Sequence, residues 1–303
     1  MARKLRISIV EYLNTAPLVW GFTDGPLVGK YDLSFTVPSQ CAEALRRGDV
    51  DVAIIPSIEY QRIDGLVVLP DMAVASEKEA RSLLVVAKKP VEMARTFALD
   101  TSSRSTVALV KILSKRLWKI APEFVDARPE PAEMLKKSDA ALVIGDPALR
   151  VALKMSELSG KSPSADNCCS GDPEDMPVPG VDTLFVYDVV HQWREMTDKP
   201  AVLAIWAARR DAMTPEIVAD FHASKAYGLE RIRDISEGAG IKLDLAPVPL
   251  EQYLRQNIQF DLDEPKLDGL RLFYQYAAEE GLIPVARPIE FAEAPAAMGA
   301  RGK

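Results

Sequence analysis

Short apolar runs alternating with helix-forming segments leave this chain few ways to fold. Lys4–Val10, Asp32–Val37, Asp51–Ile55, Leu66–Val68 and Ser82–Ala87 read as strands, with helices opening after Thr15, Ser39 and Ser57. Such alternation is the grammar of an α/β protein. SQCAEALRRG, residues 39 to 48, shows one unit of it: a capping hydroxyl, Ala42 and Leu45 on one face, and a glycine stop. After Lys88-Lys89-Pro90 the pattern restarts. Thr96–Leu99, Pro122–Val125 and Ala140–Ile144 read as strands, and DTSSRSTVALVKILSKRL opens a long helix with Val107, Val110, Ile112 and Leu113 on its inner face. GDPALRVALK reads as a helix capped by Asp146 with Pro147 at its first position. Residues 156–181 are rich in Ser, Pro, Gly and Asp and read as a surface insertion. Then DVVHQWREMTDKP reads as a helix and AVLAIWAAR as a strand, and helices over Pro215–Glu237, Leu250–Asn257 and Pro265–Gly281 follow. At 303 residues the chain exceeds what one core supports. The expected division is a discontinuous large α/β domain, 1–91 with 201–290, a small α/β domain, 92–200, and a flexible tail, 291–303.

The composition removes several function classes. Net charge is −7 and the basic residues form no dense block, so a nucleic-acid partner is not expected. No apolar run approaches the roughly 18 residues that span a bilayer. The opening MARKLRISIVEYLN is interrupted by Arg6 and ended by Glu11, with no small-residue cleavage site behind it, so a cytoplasmic protein is expected. Cys41, Cys168 and Cys169 make neither a disulfide framework nor a CxxC pair, and His191 and His222 lie far from them. No GxxxxGK[ST] phosphate loop occurs either. The expectation is therefore no metal and no organic cofactor, with Cys168 and Cys169 as free thiols in a surface loop.

Polar residues recur where strands hand over to helices: Asn14 and Thr15 in EYLNTAPL, Ser39, Ser57, the run Thr101 to Thr106, and Gly145 with Asp146. Each position suits an ordinary helix cap. Each also offers unpaired backbone N–H groups with partial positive charge at the carboxyl end of a strand, where ligands of α/β sheets settle. Several such ends turned toward one cleft would hold a small polyanion without a basic surface. Arg104, within TSSRST, and Arg81, ahead of Ser82, can each fork onto a carboxylate; Arg81 equally suits a solvated edge.

ISIVEYLNTAPL, VPSQCAEALRRGDVDVAIIPSIEY, ARSLLVVAKKP, ALDTSSRSTVALVKIL, DAALVIGDPAL and WREMTDKPAVLAIWAAR, in that order, resemble the chorismate dehydratase family of the futalosine route to menaquinone. The resemblance runs from about residue 5 to about 285. It implies a fold like type II periplasmic binding proteins, two α/β domains with the ligand cleft between them. It implies a hydro-lyase that removes water from chorismate, a dicarboxylate, without a cofactor. In that family the substrate's own enolpyruvyl carboxylate is thought to take the ring proton, and the product is aromatic. The protein then has to position and stabilise, for which Asn, Ser and Thr are adequate. Residue by residue, the resemblance makes Asn14 and Ser82 the catalytic candidates and gives Ser57, Ser105 and Thr106 to the ligand. The junction residues Ser39, Ser103, Arg104, Gly145 and Asp146 complete the candidate substrate-binding set. Family members often read Thr-Ser where this chain has Ser105 and Thr106, an exchange that keeps both hydroxyls. Two rivals stand beside this reading. The dihydroxynaphthoate synthase of the same pathway is expected to use a small-domain histidine, for which His191 is the only candidate. A non-catalytic solute-binding protein would share the fold.

Overall fold

The computed structural model describes residues 3–159 and 184–294. Cys168, Cys169 and the centre of the expected insertion lie outside them. The first half of the chain runs β1 (Arg6–Val10), α1 (Ala16–Thr23), β2 (Asp32–Thr36), α2 (Pro38–Arg47), β3 (Val52–Pro56), α3 (Ser57–Tyr60), β4 (Leu66–Ser76) and β5 (Leu83–Ala87). The middle runs β6 (Thr96–Asp100), α4 (Arg104–Arg116), β7 (Glu123–Ala127), α5 (Pro131–Lys137), β8 (Ala140–Ile144), α6 (Gly145–Ser159), β9 (Phe185–Asp188) and α7 (Val189–Thr197). The rest runs β10 (Ala201–Arg209), α8 (Pro215–Leu229), α9 (Ile232–Leu243), α10 (Pro247–Gln252), a π-helical turn at Tyr253–Asn257, and α11 (Glu264–Glu279). Among the described residues no helix is long and apolar enough to cross a membrane.

Two five-stranded sheets result, ordered β2-β1-β3-β10-β4 and β7-β6-β8-β5-β9. In each, the first three strands pair in parallel, and a fourth strand from the other half of the chain inserts antiparallel beside the third. Thus β5 and β10 are exchanged between the halves. This corrects the sequence reading, which kept β5 with residues 1–91: its pairing with β8 and β9 places it in the second sheet, and the chain crosses at 77–82. Buried strands carry unbroken apolar runs because helices cover both faces. Leu83, Val85 and Ala87 point into the main core, while Leu84 and Val86 join a second cluster with Met134, Leu135, Ala148 and Ala152 of α5 and α6.

Other departures have local causes. β4 continues past Val68 to Ser76 because Pro70 and Asp71, the latter at φ 59°, form a bulge rather than a stop. β9 is an additional strand with little signature in the sequence: FVYD is short and directly follows the polar insertion. The expected helix Pro215–Glu237 is two helices, α8 and α9, broken at Glu230 and Arg231. α2 ends as expected on Gly48, left-handed at φ 76°. It starts at Pro38 rather than on a Ser39 cap.

The end of each sheet remote from the strand-to-helix junctions is tied by a carboxylate. Asp51, before β3, accepts the N–H of Arg6 at 2.9 Å, and Asp139, before β8, accepts the N–H of Arg95 at 2.8 Å.

Candidate functional site

The strand-to-helix junctions of both sheets converge. β1 exits through Tyr12 into a 3-10 turn, Leu13–Thr15, held by the Thr15 hydroxyl, which donates to the carbonyls of Val10 and Tyr12. Between the two units lies a cavity of about 40 Å³ whose polar walls are Tyr12, Asn14, Thr15, Ser103, Thr106 and Gly145. Among the described residues no Lys or Arg lines it. A groove of about 410 Å³ shares Val10, Tyr12 and Thr15 with it and opens between α1 and α9.

The candidate residues divide into three groups. Asn14, Ser103, Thr106 and Gly145 line the cavity, with Ser103 and Thr106 hydroxyls 3.1 Å apart. A second group clasps one unit to the other. The Ser39 N–H donates to the Ser102 carbonyl at 2.8 Å. Ser57 donates to the Val202 carbonyl at 2.7 Å, which leaves Ser105 as donor in the 3.1 Å Ser57–Ser105 contact; Ser105 also accepts the Ile58 N–H. Asp146 accepts the Leu13 N–H at 3.0 Å, directly beside Asn14. Asp146 is no side-chain cap for α6, which already begins at Gly145. Arg104 does fork onto carboxylates, but onto Glu43 and Glu59 of the large unit, at 2.7 and 2.9 Å. Glu59 is fully buried and also takes Arg46 and Arg62.

The third group lies beneath the cavity. Ser82, 1% exposed, accepts from the hydroxyl of Tyr253 at 2.9 Å. Burial pushes the Tyr253 phenol well up, so it stays protonated. Tyr253 was missed in the sequence, where QYLRQN reads as one turn of an ordinary helix. Only the π-helical turn, a geometry frequent at functional sites, marks it.

The surroundings are built around these groups. Tyr12, raised to about 12 by burial, lies 3.2 Å from the Ser102 hydroxyl and packs on Gly145. Gly145 holds φ 67°, and a Cβ there would sit 2.7 Å from the Tyr12 ring. Burial likewise raises the carboxyls of Asp100 and Asp146. Asp188 accepts the N–H groups of Ala80, Arg81, Val190 and His191, so one carboxylate holds the crossing before Ser82 to the start of α7. Burial pushes it up to about 6 against the pull of those donors. Arg81 sits left-handed at φ 58°, with its N–H on Asp188. The cleft-facing helices α2 and α4 start without a side-chain cap bond, whereas α8 and α11 are capped by Thr214 and Asp263. Because α5, α9 and α10 are also uncapped, it is the position around the cavity, not the missing cap, that distinguishes α2 and α4. His191 lies on α7, its ring 4.0 Å from Glu195, and is not among the cavity walls. Among the described residues no three His, Cys, Asp or Glu side chains cluster as a metal site.

A family model described as menaquinone biosynthesis matches residues 5–279. The chain belongs to this menaquinone-biosynthesis family. The chorismate dehydratase of Thermus thermophilus is 29% identical to it over 269 residues, 88% of this chain and 93% of that protein. Among solved structures, a protein of Archaeoglobus fulgidus matches with a TM-score of 0.70 at 16% identity, covering 92% of this chain and 98% of that one. The periplasmic aliphatic sulphonate binding protein of Escherichia coli matches with a TM-score of 0.58 at 12% identity, covering 100% and 98%. At these identities the structures establish the fold: two α/β domains of the type II periplasmic-binding-protein kind.

Proposed function

We propose that this chain is a chorismate dehydratase. It removes water from chorismate and releases 3-[(1-carboxyvinyl)oxy]benzoate, on the futalosine route to menaquinone. The observation that carries the reading is the 29% identity to the Thermus thermophilus enzyme, sustained over 88% of the chain. The cleft is consistent in kind: a dicarboxylate meets hydroxyls and backbone N–H groups at the starts of α2 and α4 instead of basic side chains.

Aromatisation of the ring supplies driving force, and the substrate's enolpyruvyl carboxylate accepts the ring proton. The chain's own task is to hold one conformer and to stabilise the departing hydroxyl. Asn14 lies at the cavity wall and meets the reacting ring; Ser103, Thr106 and Ser105 grip carboxylate. A cavity of about 40 Å³ is far below the ~300 Å³ and upward of small-molecule sites, so the units part to admit substrate. Parting breaks the clasps and turns the Ser39 N–H and the Ser105 hydroxyl into donors for it.

Incubation with chorismate, followed by mass spectrometry for the loss of one water, tests activity and substrate together. Chorismate recovered unchanged, while still bound, would replace the enzyme by a solute-binding protein. Chelator treatment is expected to leave turnover intact; a loss restored by zinc would overturn the cofactor-free mechanism.

A further inference from the structure

Asp188 does more than cap a helix. It closes β9 beside Leu84 of β5 and is 6% exposed. Its Oδ1 accepts the N–H groups of Val190 at 2.9 Å and His191 at 3.0 Å, which is an ordinary cap for α7. Its Oδ2 accepts the N–H groups of Ala80 at 3.0 Å and Arg81 at 2.6 Å, and the Ala80 N–H also reaches Oδ1 at 3.2 Å. The cap needs only the first pair; the second belongs to the crossing segment that leads into β5.

Arg81 shows what that second pair fixes. It sits left-handed at φ 58°, a backbone that residues other than Gly, Asn and Asp seldom adopt and that persists only where the surroundings impose it. Ser82 follows directly. Its hydroxyl donates back to the Ala80 carbonyl at 3.3 Å and accepts from Tyr253 at 2.9 Å, and its carbonyl accepts the Gly145 N–H at 2.8 Å. Gly145 is a cavity wall, as are Leu83 and its strand partner Ile144. The turn at Ala80–Ser82 therefore sets one wall of the cavity, whereas Ser103 and Thr106 come from the start of α4, after a different strand.

We propose that Asp188 is a positioning residue: through its second oxygen it holds Arg81 left-handed, and so places Ser82 and the Gly145 wall against the reacting ring. The inference rests on the dehydratase reading and adds to it a residue that acts without touching substrate.

Asp188→Asn separates the two duties. Asparagine caps a helix as well as aspartate does, but it has one accepting oxygen, and its NH2 group would face the Ala80 and Arg81 N–H groups. On chorismate, kcat is expected to fall roughly 10- to 100-fold, as for reacting groups misplaced by about 1 Å, with KM changed less than about threefold because the grip comes from α4. Glycine takes a left-handed backbone without strain, so in an Arg81→Gly background the same substitution is expected to cost less than about threefold in kcat. A role in capping alone lowers the thermal midpoint and leaves kcat unchanged. That result, or an equal fall of kcat in both backgrounds, overturns the inference and leaves the dehydratase reading standing. Should Asp188→Asn not fold, Asp188→Ser decides in its place: its single hydroxyl oxygen caps α7, leaves the crossing pair without an acceptor, and must show the same rescue by Arg81→Gly. A wild-type protein that leaves chorismate unchanged overturns the reading and this inference together.

Discussion

The two sheets bury their strands in the same sequence of patterns. β1 and β6 are intermediate at the first residue and buried after it, β2 and β7 are mostly exposed edges, and β3 and β8 are buried throughout. Carboxylates at equivalent positions, Asp51 and Asp139, tie the starts of the first strands. Yet the sequences share little, RISIV against TFALD and VAIIP against AALVI. Burial constrains only which positions are apolar, so many sequences satisfy it. What differs in kind is the chemistry beyond the strand ends: Tyr12 and Asn14 after β1, a run of hydroxyls after β6, Ser57 and Glu59 after β3, Gly145 and Asp146 after β8. These ends clasp crosswise, Glu59 onto Arg104 and Asp146 onto the N–H of Leu13. The scaffold is duplicated, and the site is made by the unlike ends.

Breaking the two clasps separates them most sharply. Glu59→Ala leaves three arginines around a buried position, and the loss is expected to reach about 3–5 kcal/mol of stability, read from denaturant unfolding. Asp146→Ala leaves the Leu13 N–H without its acceptor and should cost about half that. Equal costs would mean that the clasps are interchangeable.

The unlike ends should also divide turnover from grip. Asn14→Ala is expected to lower kcat by about a hundred- to a thousandfold with the fold intact. Ser105→Ala, in the opposite unit, should chiefly raise KM and spare kcat. Steady-state kinetics with both variants decides, and a wild-type kcat for Asn14→Ala would remove it from the mechanism. Gly145→Ala is expected to cost at least about 1–2 kcal/mol from its left-handed backbone alone, and to displace Tyr12 from Ser102. Thermal unfolding, with tyrosine fluorescence as a second readout, checks both effects.

The smallest effect tests the duplicated scaffold. Burial opposes the charge on Asp51, but Arg6 and Arg3 outweigh it and hold the carboxyl down at about 2; Lys89 and backbone N–H groups likewise hold Asp139 low. A depressed carboxyl stabilises the fold above its unfolded value of 3.8, and that contribution is lost as pH falls toward about 2. Asp51→Asn is therefore expected to flatten the decline in unfolding free energy below about pH 4. An unchanged slope would deny the tie its role.

Much of this was legible in the chain. The strands through β3, the restart near Pro90 and β8 are periodic or unbroken apolar runs, and their pattern is local. Asn14, Ser103, Thr106 and Gly145 could be picked out because each belongs to a strand-to-helix junction. The destination of β5 was not legible, since LLVVA suits either sheet and pairing partners far along the chain, Ala140–Ile144, decide it. Nor was Arg104's: its fork was visible, but its buried partner Glu59 is 45 residues distant.

By itself, then, the sequence determined the α/β alternation, the two units and the polar strand ends, because each depends on residues within one turn or one strand. The tertiary structure decided which strands were exchanged, which ends clasp and which line the cavity. It also brought Tyr253 to Ser82 across 171 residues. A hydrogen bond between such distant residues has no local periodicity to announce it; it exists only after the sheets have brought both backbones to within about 3 Å reach of each other's side chains.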